Sequence, residues 1–189
     1  MALTPALDWA VHVRPYPGAP RGGDWGTVLP TQDGALAILV DAAGHGLAAY
    51  AVAQKARTAI YENKDSHPDA LLLAIDHALK KTDGAAVALA LLVESSLYFV
   101  GVGNIQASVG GQPLLSRTGI VGLRMRQPRI IERRLETGAW LLMHTDGVAP
   151  PTSTPAGSAK AVATALVETF GSAHDDATVL LLRRREAVE

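Results

Sequence analysis

The chain has 189 residues, 48% of them hydrophobic and 19% charged, with a formal net charge of −1 and no cysteine. That length and composition suit one domain with a sizeable core and exclude a disordered chain. The near-neutral balance gives no global basic field, so nucleic acid is excluded as the main partner. Without cysteine there are no disulfides, thiolate metal sites or cysteine nucleophiles, a usage at home in a reducing cytosol.

The first residues, Met1 to Asp8, lack a basic stretch followed by a long apolar core, so no signal peptide is expected. No apolar run nears the ~20 residues needed to cross a bilayer. A cytoplasmic protein with no membrane partner is therefore expected. Leu7 to Arg14 carries Trp9, Val11 and Val13 on alternate positions and reads as a strand. Pro15 to Gly23, with three prolines and three glycines, reads as a loop. Asp24 to Thr31 reads as a second strand, Gln32-Asp33-Gly34 as a hairpin turn, and Leu36 to Val40 as a central strand buried on both faces. Leu47 to Asn63 places Ala49, Val52, Ala53 and Ala56 on one face of a helix. Pro68 opens a second helix through Lys81, with Leu71, Leu72, Ile75 and Leu79 on its buried side.

From Ala85 the period changes. Ala85 to Val93, Leu97 to Val102 and Ile105 to Val109 read as strands joined by turns at Glu94-Ser95-Ser96 and Gly103-Asn104, with Gly110-Gly111 ending the meander. Ile130 to Leu135 reads as an edge strand and Ala139 to His144 as a buried one. Pro150 to Gly157 reads as a loop, Ser158 to Phe170 as a third helix closed by Gly171, and Ala177 to Leu182 as the last strand. Strands in adjacent hairpins with paired helices argue for an α+β fold with antiparallel sheets in a single domain over residues 1–189. Arginines cluster at Arg124 to Arg134 and at Arg183 to Arg185, and both clusters read as solvated faces.

Four aspartates sit where an apolar run meets a glycine, a turn or a second acid. They are Asp24 in Gly22-Gly23-Asp24, Asp41 in Asp41-Ala42-Ala43-Gly44-His45-Gly46, Asp146 in Thr145-Asp146-Gly147, and Asp175 in Asp175-Asp176-Ala177-Thr178. Each has an ordinary explanation when taken singly. Asp41 could cap a helix, although the cap would need to lie nearer Leu47. Asp146 could belong to a strand-end turn, and the Asp175-Asp176 pair could cap a loop. Taken together, carboxylates just past buried strands point into one cleft, and their mutual repulsion asks for a cation. Oxygen-only ligands suit Mg²⁺ or Mn²⁺.

The order Gly-Gly-Asp, Asp-x-x-Gly-His-Gly, Thr-Asp-Gly, Asp-Asp-x-Thr resembles the metal-dependent protein phosphatases of the type 2C fold, in the bacterial branch of the sporulation stage II protein E phosphatases. The resemblance runs from about Trp9 to Arg183 and includes the Gly103-Asn104 turn. It implies an antiparallel β-sandwich flanked by helices (α-β-β-α) with two divalent ions, Mn²⁺ or Mg²⁺, at one end. By motif position Asp41 would bridge both ions, and the Ala42 carbonyl and Asp24 would serve the second. Asp146 and Asp175 would hold the first, so that Asp41, Asp146 and Asp175 act through activated water. Arg21 is the candidate phosphate contact. His45 lies four residues after Asp41, where relatives carry a histidine two residues after it. It has two readings: a general acid or outer partner of the site, or a histidine satisfied at a helix start. His144 and His174 flank metal aspartates and read as core or surface.

The lean layout is similar to that of stressosome phosphatases. That similarity implies a serine/threonine protein phosphatase acting on phosphorylated proteins of the sulfate-transporter/anti-sigma-antagonist (STAS) fold. A catalytically inactive binding module of the same fold and a hydrolase of small phosphoesters are the alternatives. The short stretch Arg117 to Arg129 leads us to expect an open site with no folded flap.

Overall fold

The apolar runs at 36–40 and 85–92 become the centre of the molecule. The computed structural model describes residues 7–149 and 156–185. In chain order the elements are β1 (Leu7–Arg14), β2 (Asp24–Pro30), β3 (Ala35–Ala42), α1 (Gly46–Asn63), α2 (Pro68–Ala78), β4 (Ala85–Val93), β5 (Ser96–Val102), β6 (Gln106–Val109), β7 (Gln112–Leu114), β8 (Ile131–Arg134), β9 (Trp140–His144), α3 (Ala159–Phe170) and β10 (Ala177–Arg184). They form two five-stranded antiparallel sheets, ordered β2-β3-β4-β5-β8 and β1-β10-β9-β6-β7.

Strand alternation builds the layers. In β3, Leu36, Ile38 and Val40 face α1 and α2, where Ile60, Leu71, Leu72 and Ile75 cover them. Ala37 and Leu39 face the other sheet, as do Ala88 and Ala90 of β4 and the fully buried Phe99 of β5. The opposing sheet supplies Leu141, Met143, Leu180 and Leu182. On its outer side Val179 and Leu181 pack under Val162 and Leu166 of α3. The layers are therefore helices, sheet, sheet, helix, as the expected α-β-β-α sandwich requires. Small alanines on the inner faces of β3 and β4 let the sheets approach around the larger Phe99.

Most element ends shift by one or two residues from the sequence reading, and three differences have a local cause. The second helix stops at Ala78, because Lys81 takes a left-handed backbone (φ 66°) that no helix can continue. Gly110-Gly111 does not end the meander. Both residues have positive φ, the geometry of a tight hairpin, and they join β6 to the short β7. The third helix is capped by the Ser158 hydroxyl, which accepts from Ala161 N. Of the expected loop at 150–157, residues 150–155 lie outside the described residues. Among the described residues no helix is long and apolar enough to cross a membrane.

Candidate active site

The inward rows of the two sheets run out at one end of the sandwich, and the acids stand there. In β2 and β3, Val28 and Leu39 belong to the inter-sheet core, so Asp24 and Asp41 are the last inward residues of their strands. They are also direct partners across the ladder, Asp24 opposite Asp41. Two like charges facing each other at a sheet end are destabilising unless something offsets them. From the other sheet come Thr145 and Asp146, just past β9, and Asp175, just before β10.

Hydrogen bonds tie the two sheet ends together. The Thr145 hydroxyl accepts from Thr178 N (3.0 Å) and donates to Asp24 Oδ2 (2.9 Å). Asp24 is 8% exposed, so this donor is held out of water. Asp146 is exposed, and Asn104 Nδ2 donates to its Oδ2 at 2.5 Å. Asn104 sits in the turn where the chain passes from β5 to β6, and so from one sheet to the other. Gly103 makes that crossing feasible: its φ is +102°, and a Cβ there would fall 2.4 Å from Ala86 Cβ.

Asp41, Asp146 and Asp175 share a cleft of about 700 Å³, lined also by His45, Asn104 and His174; the buried Asp24 is not part of its lining and reaches it only through its ladder partner Asp41. Burial pushes the Asp41 carboxyl up to about 9, with the charges of Asp24, Asp146 and Asp175 adding to it. Asp24 is pushed up to about 7, again mainly by burial and then by Asp176 and Asp175, against the pull of the Thr145 hydroxyl. Asp175 is raised as well, by burial and by the charges of Asp146 and Asp176, while His45 draws it down. The group has too much negative charge for its surroundings, which is the condition a dication relieves.

As the side chains stand, no three acids or histidines among the described residues close on one point. The donor set still fits Mg²⁺ or Mn²⁺. These ions retain several waters and need only one or two carboxylates each, all oxygen, and the cleft is roomy enough for those waters.

The remaining sequence candidates fall as follows. Ala42 is buried beside the cleft, its N–H donating to Gly23 O at 3.3 Å. His45 is the N-terminal cap residue of α1, makes no side-chain cap bond, and stacks on Tyr16 with ring centroids 5.4 Å apart. Its ring is exposed on the cleft wall. Arg21 lies on Tyr50 of α1, donating to its hydroxyl with the guanidinium 4.7 Å above the ring, and is not part of the cleft lining. His144 is buried with Nδ1 3.0 Å from Thr145 O, and burial lowers its pKa, so it is a neutral core histidine. Thr118, Gly119 and Ile120 form one wall of the cleft.

Sequence reasoning overlooked the parts that hold the acids in place. Asp176 is buried and is not aimed at the cleft: its carboxylate accepts from Tyr16 N and Gly23 N, both at 2.6 Å. A side chain at Gly22 would overlap that carboxylate, with a Cβ 2.4 Å from Oδ1, so the Gly22-Gly23 pair is shaped around Asp176. The doubled acid was visible in the sequence, but which member turns inward was not. Asn104 and Thr145 stood inside recognised motifs without a role. A polar amide after a glycine at a sheet crossing is the signal that could have singled out Asn104.

Comparisons with known proteins agree with this architecture. The family model described as Stage II sporulation protein E (SpoIIE) matches residues 31–151. No curated protein sequence matches the chain. Among solved structures, a chain from the bacterial stressosome, described as a modular system adapted to control secondary messenger signaling, superposes with a TM-score of 0.88 at 23% identity. That match covers 94% of this chain and 100% of that one. RsbX in complex with magnesium gives 0.84 at 16% identity, over 94% and 95% of the two chains. The catalytic domain of the serine/threonine protein phosphatase PstP in complex with two manganese ions gives 0.77 at 17%, over 95% and 99%. At these identities the likeness carries the fold.

Proposed function

The chain belongs to the Stage II sporulation protein E family, and on that premise we propose that it is a metal-dependent protein serine/threonine phosphatase. The observation that carries the proposal is the meeting of Asp41 from one sheet with Asp146 and Asp175 from the other around one cleft, with the buried Asp24 paired to Asp41 beside it and the charges of all three acting on Asp41. Asp41, the Ala42 carbonyl and Asp24 would hold one divalent ion. Asp41, Asp146 and Asp175 would hold another, Mn²⁺ or Mg²⁺. Bound there, such ions neutralise the acids, lower the pKa of water and screen phosphoryl oxygens.

The chain's own residues do the positioning. Thr145 keeps Asp24 oriented from the opposite sheet, and Asn104 keeps Asp146 turned into the cleft. Asp176, anchored to Tyr16 N and Gly23 N, sets the approach of the loop that carries Asp24. His45, stacked on Tyr16 at the cleft wall, would be the group that gives a proton to the departing seryl or threonyl oxygen. Arg21 would reach the phosphate only after leaving Tyr50.

The substrates we propose are phosphorylated regulatory proteins of the STAS fold in a cytoplasmic stressosome or anti-sigma system. The support is the likeness to a stressosome chain and to RsbX. The test is incubation of the protein and Mn²⁺ with phosphorylated STAS proteins, reading phosphate loss by mass spectrometry. Removal of phosphate from serine or threonine, absent with a chelator, is the expected result. Turnover of small phosphoesters with none on any phosphoprotein would reject the substrate class. No turnover of either with any divalent ion would favour the inactive binding module.

A further inference from the structure

We propose that the face formed by residues 115–134 receives the acidic flank of the phosphorylated segment, so that the protein selects phosphoserine or phosphothreonine with aspartate or glutamate close by. The inference rests on the phosphatase reading and extends it to the residues surrounding the phosphate.

In a chain of net charge −1, this stretch holds six arginines and one glutamate. Two of the arginines, Arg124 and Arg126, line a groove together with Thr118, Gly119 and Ile120. The same Thr118, Gly119 and Ile120 form a wall of the acidic cleft. Groove and cleft therefore share a rim, and a peptide whose phosphate enters the cleft passes over Gly119 toward the arginines. A second groove beyond it is lined by Arg117, Arg129 and Arg133, with Leu115 and Ile130 between them.

These cations differ from the other arginine cluster. Arg183 and Arg185 both pair with Asp8, at 2.8 and 3.0 Å. Among the described residues, Arg124, Arg126 and Arg129 pair with no acid. The platform beneath them is held: Val121 pairs with Ala85 of β4, Gly122 N donates to Asp76 Oδ1 at 2.7 Å, and Arg117 Nη1 donates to Gln127 O. Ile120, Leu123 and Leu115 are 41%, 52% and 75% exposed along the same stretch, which gives a partner apolar contact between the charges. A cleft of carboxylates repels an acidic substrate, and a basic rim offsets that repulsion and steers the approach.

The test uses two fluorescein-labelled phosphoserine peptides of equal length, one flanked by aspartates and one by alanines. Binding to the full chain is followed by anisotropy at low salt. The acidic peptide is expected to bind about tenfold more tightly, the order given by a few exposed ion pairs. R124E/R126E removes the preference, and so does raising the salt toward 1 M, where charges are screened beyond about 3 Å. R124E/R126E leaves hydrolysis of p-nitrophenyl phosphate unchanged, which also shows that it is folded. Should it fail to fold, R124Q/R126Q is expected to reduce the preference in the same direction. Equal affinity for the two peptides overturns the proposal, as does a preference that survives either double substitution. So does an RNA oligonucleotide that competes as well as the acidic peptide. Anisotropy needs no turnover, and p-nitrophenyl phosphate has no flank, so failure of the docking surface and failure of the phosphatase reading give separate results.

Discussion

Asp41 and Asp24 face one another at the end of a ladder, where the fold by itself would not choose two carboxylates. Activity and stability should therefore respond in opposite directions. Asp41→Asn is expected to cut Mn²⁺-supported hydrolysis of p-nitrophenyl phosphate by at least about a hundredfold, since it removes the acid central to the group. It should also raise the stability of the metal-free protein by roughly 0.5–2 kcal/mol in urea denaturation, as relief of strain at a functional site does. A loss of stability on this substitution would contradict the reading of the pair as strained for function. Asp176→Ala has the reverse character. It strands one buried and one half-buried backbone N–H group and should cost about 2–4 kcal/mol in the same measurement. Which of the adjacent Asp175 and Asp176 faces the cleft was illegible from the sequence. Strand alternation says only that they point opposite ways, and the partners that decide the matter, Tyr16 N and Gly23 N, lie more than 150 residues away.

At the scale of elements, most of the fold was legible, because β3 and β4 are continuous apolar runs and α1 keeps one alanine-rich face. What escaped was set by short-range turn chemistry or by tertiary contact: three-residue β7 with Pro113 at its centre, and the end of α2 at a left-handed lysine. The β5–β6 crossing is the element on which the site depends most. Gly103→Ala meets both a positive φ and the Ala86 side chain, and should cost about 1–3 kcal/mol. Because it also displaces Asn104, it should lower phosphatase activity more than Asn104→Ala alone, for which a roughly tenfold to hundredfold loss is expected. Steady-state kinetics of the two variants at saturating Mn²⁺ compare them directly. A Gly103→Ala enzyme as active as the parent would mean that the crossing does not position Asn104.

For the molecule as a whole, the raised carboxyls make stability depend on pH in the direction opposite to ordinary acid denaturation. Asp24 and Asp41 titrate near 7 and 9 in the folded protein, against about 3.9 unfolded, so the folded state binds more protons across that interval. Their contribution is present in full below about pH 4 and is lost as pH rises through 7 and then 9. The melting temperature of the metal-free protein should therefore fall between pH 5 and 9, and Asp24→Asn/Asp41→Asn should flatten that slope. Mn²⁺ competes with the same protons and should stabilise more at pH 8 than at pH 5. At a hundred times its Kd it adds about 2.7 kcal/mol, or roughly 5–10 °C for a chain of this length. The measurement that bears most directly on the account is anomalous diffraction from a crystal soaked in manganese. Two peaks between the ends of the sheets, bonded by Asp41 with Asp24, Asp146 and Asp175 in attendance, are the predicted result. A map with no peak there, or with the four carboxylates turned to separate surfaces, would contradict it.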